Sequence, residues 1–245
     1  MIRHIASLGI ALLVLTACEE IPTEQAPASK TTTAAKPTKS PSGRLTDRQA
    51  ARAFIEVTNR VEPIAERECR RRTSNVNCDF RIIVDDRPNQ PPNAYQTLDD
   101  NNRPIIAFTL GLITRARNAD ELAFVMGHEA AHHIQGHIMR QQQNALRGAV
   151  LAGGVATLIG GSSTAVREAT EAGAQIGART YSKTFELEAD ELGTILTLQA
   201  GYDALRGAEF FARIPDPGDR FLGTHPPNAK RVEIVHQTVA KYKKQ

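Results

Sequence analysis

His128-Glu129-Ala130-Ala131-His132 constrains this chain more than any other stretch. The spacing has chemical meaning only on an α-helix. A helix turns about 100° per residue, so histidines four apart stand one above the other on one face. Both imidazoles then reach one zinc ion at about 2.0–2.1 Å. Glu129 follows the first histidine and projects beside the metal, where a carboxylate serves as general base for a zinc-activated water. Five residues also match this pattern by chance. Its meaning depends on whether the chain supplies a helix, a third ligand and a suitable compartment.

The helix is well specified. Asn118 is a predicted N-cap with Glu121 three residues on. Leu122, Met126, Ala130, His133 and His137 fall on one stripe, and His128 and His132 lie about 120° or more from its centre. The helix should bury the stripe and turn His128 and His132 toward a cleft. His133 and His137 are also four apart, but they lie on the apolar stripe and Ile134 follows His133. They read as satisfied core or boundary histidines.

A third ligand is available downstream. Sites of this kind take a Glu from a later helix, and Thr184-Phe185-Glu186-Leu187-Glu188-Ala189-Asp190 offers one. Alone, the segment reads as a solvated acidic helix. Beside His128 and His132, Glu186 becomes the metal ligand. Asp190, four residues on, can hold the other ring N–H of a ligand histidine. Glu188 is rotated about 200° from Glu186 and faces elsewhere.

The N-terminus indicates the compartment. Arg3 and His4 precede an apolar run from Ile5 to Val14. Leu15-Thr16-Ala17-Cys18 then resembles a bacterial lipobox. That resemblance implies a signal peptide over 1–17 and a lipid-bearing Cys18, whose acyl chains together anchor stably to a membrane. Glu19 rather than Asp favours the outer membrane. Residues 18–45 form the lipidated cysteine and a proline-rich, disordered tether; the 25 residues 19–43 span roughly 25–30 Å as a flexible coil. In an oxidising compartment the two remaining cysteines, Cys69 and Cys78, are expected to form a disulfide.

The folded domain is expected over 46–245. It starts with a Thr46/Gln49 capping box, with Leu45 as its hydrophobic staple. Phe54, Val57, Val61, Ile64 and Ala65 follow at helical spacing, and Arg70, Arg71 and Arg72 end the helix. Strands are predicted over 80–84, 93–98 and 104–109, with a short helix over 111–117. The chain lacks Trp, so its core should be aliphatic. Its net charge is only +3 and no basic run is interleaved with aromatics, which disfavours nucleic acid as a partner. Residues 148–166 are 19 in a row without charge, but five are glycines. This stretch reads as a glycine-rich helix and loop that packs on the core or touches lipid, rather than a membrane span.

Three motifs together resemble a known family. Gly-His-Glu-Ala-Ala-His at 127–132, Glu-Leu-Glu-Ala-Asp-Glu-Leu-Gly at 186–193 and Thr-His-Pro-Pro at 224–227 are similar to the HtpX/BepA-like zinc metallopeptidases, gluzincins related to the type 1 CAAX prenyl protease. The resemblance covers about residues 46–235 and points to the soluble periplasmic branch. It implies an α+β, mainly helical zincin-like (minigluzincin) domain with a small β-sheet. It also implies one Zn2+ per chain held by His128, His132 and Glu186, with Glu129 as base and Asp190 behind a ligand. Asn93-Ala94 resembles the family's substrate-holding edge strand. His225 matches a loop histidine that in some members approaches the zinc, as an occluding ligand or a transition-state donor; it reads equally as a turn histidine. Arg231 matches a family arginine, in an ion pair or in the active site.

The expected function is a zinc metalloendopeptidase of the cell envelope, lipid-anchored and facing the periplasm. Its expected substrates are unfolded or misassembled envelope proteins. The alternatives are a zinc-binding chaperone or assembly factor with a self-occluded site, and a structural lipoprotein with a vestigial site. The intact Glu129 argues against the last.

Overall fold

The computed structural model describes residues 44–180, 182–215 and 226–244. Cys18, the tether residues 19–43 and His225 lie outside these. The fold is mainly helical with one small sheet, as the sequence implied.

Helix α1 runs Asp47–Arg72. Thr46 and Gln49 form the reciprocal capping box: the Thr46 hydroxyl accepts from the Gln49 N–H, and the Gln49 side chain accepts from the Thr46 N–H. Ala50, Phe54, Val57, Val61, Ala65 and Cys69 form the buried stripe, and Phe54 meets Phe108 edge-on at 5.1 Å. Near the helix end, Glu68 is buried among Arg71 and Arg72. The hydrogen bonds from Arg71 above all hold its carboxyl down, at about 2. Cys69 and Cys78 are joined in disulfide geometry with Cα atoms 5.7 Å apart.

The sheet comprises β1 (Arg81–Asp85), β2 (Ala94–Leu98) and β3 (Pro104–Thr109) in the order β1-β3-β2. β1 runs parallel to β3, pairing Arg81 with Ile105. β2 runs antiparallel to β3, pairing Ala94 with Phe108. Buried β3 is therefore central, and β2 is an edge strand. Pro104 opens β3, the strand position where a missing N–H is tolerated. A tight polar turn joins β2 to β3: the Asp99 carboxylate accepts from the N–H groups of Asn101 and Arg103, and Asn102 takes the left-handed conformation at φ 57°. The first strand starts one residue later than expected, because buried Phe80 packs against the His133 ring just ahead of it. Helix α2 (Leu110–Arg115) likewise differs by one or two residues from the expected 111–117, because Thr109 caps it and Ala116 is already extended.

Helix α3 (Ala119–Ile134) carries the motif and crosses the sheet, α1 and α6 (Ser182–Gln199). Asn118 caps it by accepting from the Glu121 N–H. The Glu121 carboxylate reaches back to the Arg117 N–H and pairs with Arg213. Contact between α3 and α6 is backbone to backbone. A Cβ on Gly127 would lie 2.8 Å from the Gly193 carbonyl oxygen, and one on Gly193 would lie 2.8 Å from the His128 nitrogen. Those two glycines bring the motif and the acidic segment together.

α3 ends earlier than the stripe reading implied. Gly136 adopts φ 66°, the left-handed conformation that L side chains disfavour, and breaks the helix. His137 therefore begins a new helix, α4 (His137–Leu158), and does not continue the α3 stripe. After a turn, α5 (Ser163–Thr180) packs back along α4. The glycine-rich stretch is thus two helices and their connection. A Cβ on Gly148 would come within 2.0 Å of the Gly173 oxygen, so only glycine allows this approach. Leu151, Val155, Leu158 and Ile159 stand exposed on the pair. No helix among the described residues is long and apolar enough to cross a membrane.

The short α7 (Ala204–Ala208), a 3-10 turn at Glu209–Arg213 and α8 (Asn228–Tyr242) close the other side. Phe124, Phe211, Val235 and Val239 form a second apolar cluster there, and Arg231 in the first turn of α8 points inward.

Candidate metal centre

His128 and His132 present their Nε2 atoms to each other at 3.0 Å. Glu186 on α6 places one carboxylate oxygen 3.7 Å from His128 Nε2 and the other 3.4 Å from His132 Nε2. Suitable ligand atoms of the three residues lie within 4.8 Å of one another. Two nitrogens bound tetrahedrally to zinc at about 2.0–2.1 Å stand roughly 3.3 Å apart. The donor chemistry also fits a cation. Nδ1 of each histidine is engaged elsewhere, so two ring nitrogens and a carboxylate converge, with the Arg231 guanidinium beside them, 3.4 Å from His128 Nε2. The expected ligand set is brought together as a group that can hold a metal ion.

The remaining site residues surround this trio. His128 Nδ1 lies 2.9 Å from Asp190 Oδ1, on the side away from Glu186. Asp190 is fully buried, and its charge is matched by Arg231, whose Nε and Nη2 each donate to it at 2.7 Å. The Arg231 guanidinium lies over the Phe211 ring at 3.9 Å and is 3.5 Å from Glu186. Arg231 thus makes the ion pair, with Asp190, and also lines the cleft against His128 and Glu186, so both of its readings keep a structural basis.

Glu129 lines a cleft of about 680 Å³ together with His128, His132 and Glu186. One wall of that cleft is β2 and the residue before it, Asn93 to Gln96. Asn93 itself precedes the strand: its N–H donates to the Thr109 hydroxyl, and its carbonyl accepts from the Thr109 N–H. Ala94 is the first strand residue. The sheet edge therefore runs beside the candidate metal site.

His133 is a boundary histidine as expected. One ring nitrogen is 2.7 Å from the Asn77 carbonyl oxygen, and burial lowers its pKa. His137 is likewise buried and satisfied, but it begins α4 and its partners lie beside the candidate site. Its Nδ1 stands 2.8 Å from His132 Nδ1, and its Nε2 stands 3.1 Å from Glu188. Burial, with the His132 charge second, pushes its pKa down to about 4. Arg140 pairs with Glu188, and its hydrogen bonds hold that carboxyl below the ordinary range. Only the helix assignment of His137 fails: it belongs to α4 and not to the α3 stripe, while Glu188 faces elsewhere than Glu186, as expected. Gly136 was the available signal, since a glycine at the end of a helical pattern marks a stop.

A mainly helical domain with two helix-borne histidines, a glutamate from a second helix and a further glutamate, Glu129, in the same cleft matches the composition of a metallopeptidase site. The sequence comparison gives the family. Residues 54–239 match the model of peptidase family M48, and the chain belongs to it. It is 30% identical over 165 residues to a Vibrio cholerae protein named as a beta-barrel assembly-enhancing protease, covering 62% of this chain and 34% of that one. It is 28% identical over 137 residues to the mitochondrial metalloendopeptidase OMA1 of Arabidopsis thaliana, covering 54% of this chain and 27% of that one. The matched part thus spans about a third or less of each relative's length.

Proposed function

We propose that this metallopeptidase is a zinc endopeptidase of the bacterial cell envelope that cleaves unfolded or misassembled envelope proteins. His128, His132 and Glu186 would hold the zinc, which supplies Lewis acidity to the scissile carbonyl and to the attacking water. Glu129 takes a proton from that water and returns it to the leaving amine, a role typically worth 10²–10⁴-fold in rate. Asp190, neutralised by Arg231, fixes the His128 ring so that Nε2 faces the metal. An extended substrate adds a strand to β2, reading backbone more than side chains and favouring unfolded chains.

The observation that carries this reading is the edge strand β2 lying along the cleft that holds Glu129 and the three ligands. The name of the Vibrio cholerae relative supports an envelope setting. The lipobox ending at Cys18 supports a lipid anchor facing the periplasm, with Glu19 favouring the outer membrane. The Cys69–Cys78 pair fits an oxidising compartment.

The test is degradation of casein by the full chain, by Glu129→Gln and by His225→Ala, with zinc supplied. Cleavage by wild type and none by Glu129→Gln supports the peptidase reading. Faster cleavage by His225→Ala than by wild type identifies a self-occluded enzyme, as the chaperone alternative requires. Cleavage by Glu129→Gln at the wild-type rate defeats the proposed mechanism.

A further inference from the structure

Each candidate ligand histidine has a second ring nitrogen, and the structure gives the two nitrogens different partners. His128 Nδ1 meets Asp190 directly at 2.9 Å. His132 Nδ1 meets another imidazole, His137, at 2.8 Å. Behind His137 stands Glu188, 3.1 Å from Nε2, and behind Glu188 stands Arg140. We infer that His137, held by the Glu188–Arg140 pair, is a positioning residue that accepts the Nδ1–H of His132 and so fixes the tautomer and direction of this metal ligand. The inference rests on His132 being a ligand of the proposed peptidase site.

The direction of the chain follows from donor and acceptor chemistry. Glu188 is paired with the Arg140 guanidinium, and a carboxylate in that pairing only accepts. The proton between Glu188 and His137 therefore sits on His137 Nε2. A neutral imidazole carries one ring proton, so His137 Nδ1 presents a lone pair. Across 2.8 Å, His132 Nδ1 must then be the donor. Its own lone pair is left on Nε2, the atom that faces His128 and Glu186.

Local structure holds His137 for this task. In an unbroken helix the residue five after His132 would lie about 140° away around the axis. The left-handed turn at Gly136 brings it back against His132 instead. The His137 ring is buried and stacks on Phe185 at 4.6 Å with only 10° between planes. Arg140, one turn along α4, packs over the same Phe185 ring at 4.3 Å. Helix α6 thereby serves both nitrogens of His132: Glu186 stands near Nε2, and Glu188 acts on Nδ1 through His137. The two ligands are supported alike, each backed by a carboxylate with its own arginine, and only the His132 side interposes a ring.

The test uses the full chain and measures zinc affinity by competition with a chromophoric chelator, alongside the unfolding temperature of the metal-free protein. His137→Phe keeps the ring stack but removes the acceptor. It should weaken zinc binding by about 10–100-fold, the usual loss when an outer-shell partner is removed. His137→Asn offers a carbonyl oxygen near the position of Nδ1 and should recover most of that loss. Histidine ¹⁵N spectra of the zinc-loaded chain should show His137 protonated at Nε2 and His132 at Nδ1. Wild-type zinc affinity in a folded His137→Phe overturns the inference, and so does a His137 protonated at Nδ1. If His137→Phe fails to fold, the wild-type spectra decide alone. Zinc affinity is independent of cleavage: loss of affinity in His137→Phe alongside an active Glu129→Gln would leave the relay standing and sink the peptidase mechanism.

Discussion

Gly193→Ala should damage both stability and the metal centre, although residue 193 bears no functional group. Its added Cβ would lie 2.8 Å from the His128 nitrogen, 2.9 Å from the His128 Cα and 3.1 Å from the Gly127 carbonyl carbon. All three are backbone atoms of α3, so no side chain can rotate away. Ordinary contact begins at 3.4 Å, and α6 must therefore move from α3 by about 0.6 Å at this point. Overpacking of this kind costs about 1–3 kcal/mol. At about 2–4 °C per kcal/mol for a domain of this size, the melting temperature should fall by roughly 2–12 °C. The same shift separates Glu186 and Asp190 from His128, whereas metal sites tolerate about 0.2 Å. Zinc affinity should therefore fall as well. Calorimetry of the metal-free protein and chelator competition measure the two effects. Gly154→Ala is the control: a Cβ there meets nothing within 4 Å, so it should be neutral or slightly stabilising. If Gly193→Ala melts and binds zinc like wild type, the close α3–α6 approach does not set the site.

Removing metal with a chelator should lower the melting temperature, and restoring zinc to about 100 times its dissociation constant should return about 2.7 kcal/mol; an unchanged melting temperature counts against metal binding by the folded state. Glu68 is held at about 2 by Arg71 and Arg72, against 4.5 when free, so its stabilisation is present above pH 4.5 and is lost as pH falls toward 2. The advantage of wild type over Glu68→Gln in urea unfolding of the metal-free protein should shrink across that window; a constant gap would refute the assignment. Replacing both Cys69 and Cys78 by serine should cost about 2–3 kcal/mol by loop closure over their 9-residue separation, read from urea midpoints against the oxidised wild type.

Much of the site was legible because helical geometry is local. The spacing of His128 and His132 specifies a shared face wherever the helix lies, and the same holds for Glu186 and Asp190. The caps at Thr46 and Asn118 and the turn at Asp99–Asn102 were readable for the same reason, since their hydrogen bonds join residues at most four apart. The exceptions show the limit of periodicity. It placed His137 on the stripe of α3, but the angle per residue loses meaning once Gly136 turns left-handed. It placed Glu188 away from the metal, which was correct, but it had no means of finding what stood on that side.

The sequence by itself determined which residues were chemically equipped to meet a metal, and on which helix faces they stood. The tertiary structure decided how those faces meet. Gly127 and Gly193 let α3 and α6 approach closely enough for Glu186 to reach both histidines, and α8 brings Arg231 to neutralise Asp190. The turn at Gly136 sets His137 behind His132, where Glu188 of α6 meets it. Contacts between residues 41 to 103 positions apart depend on how closely the helices pack, and no local spacing rule encodes them.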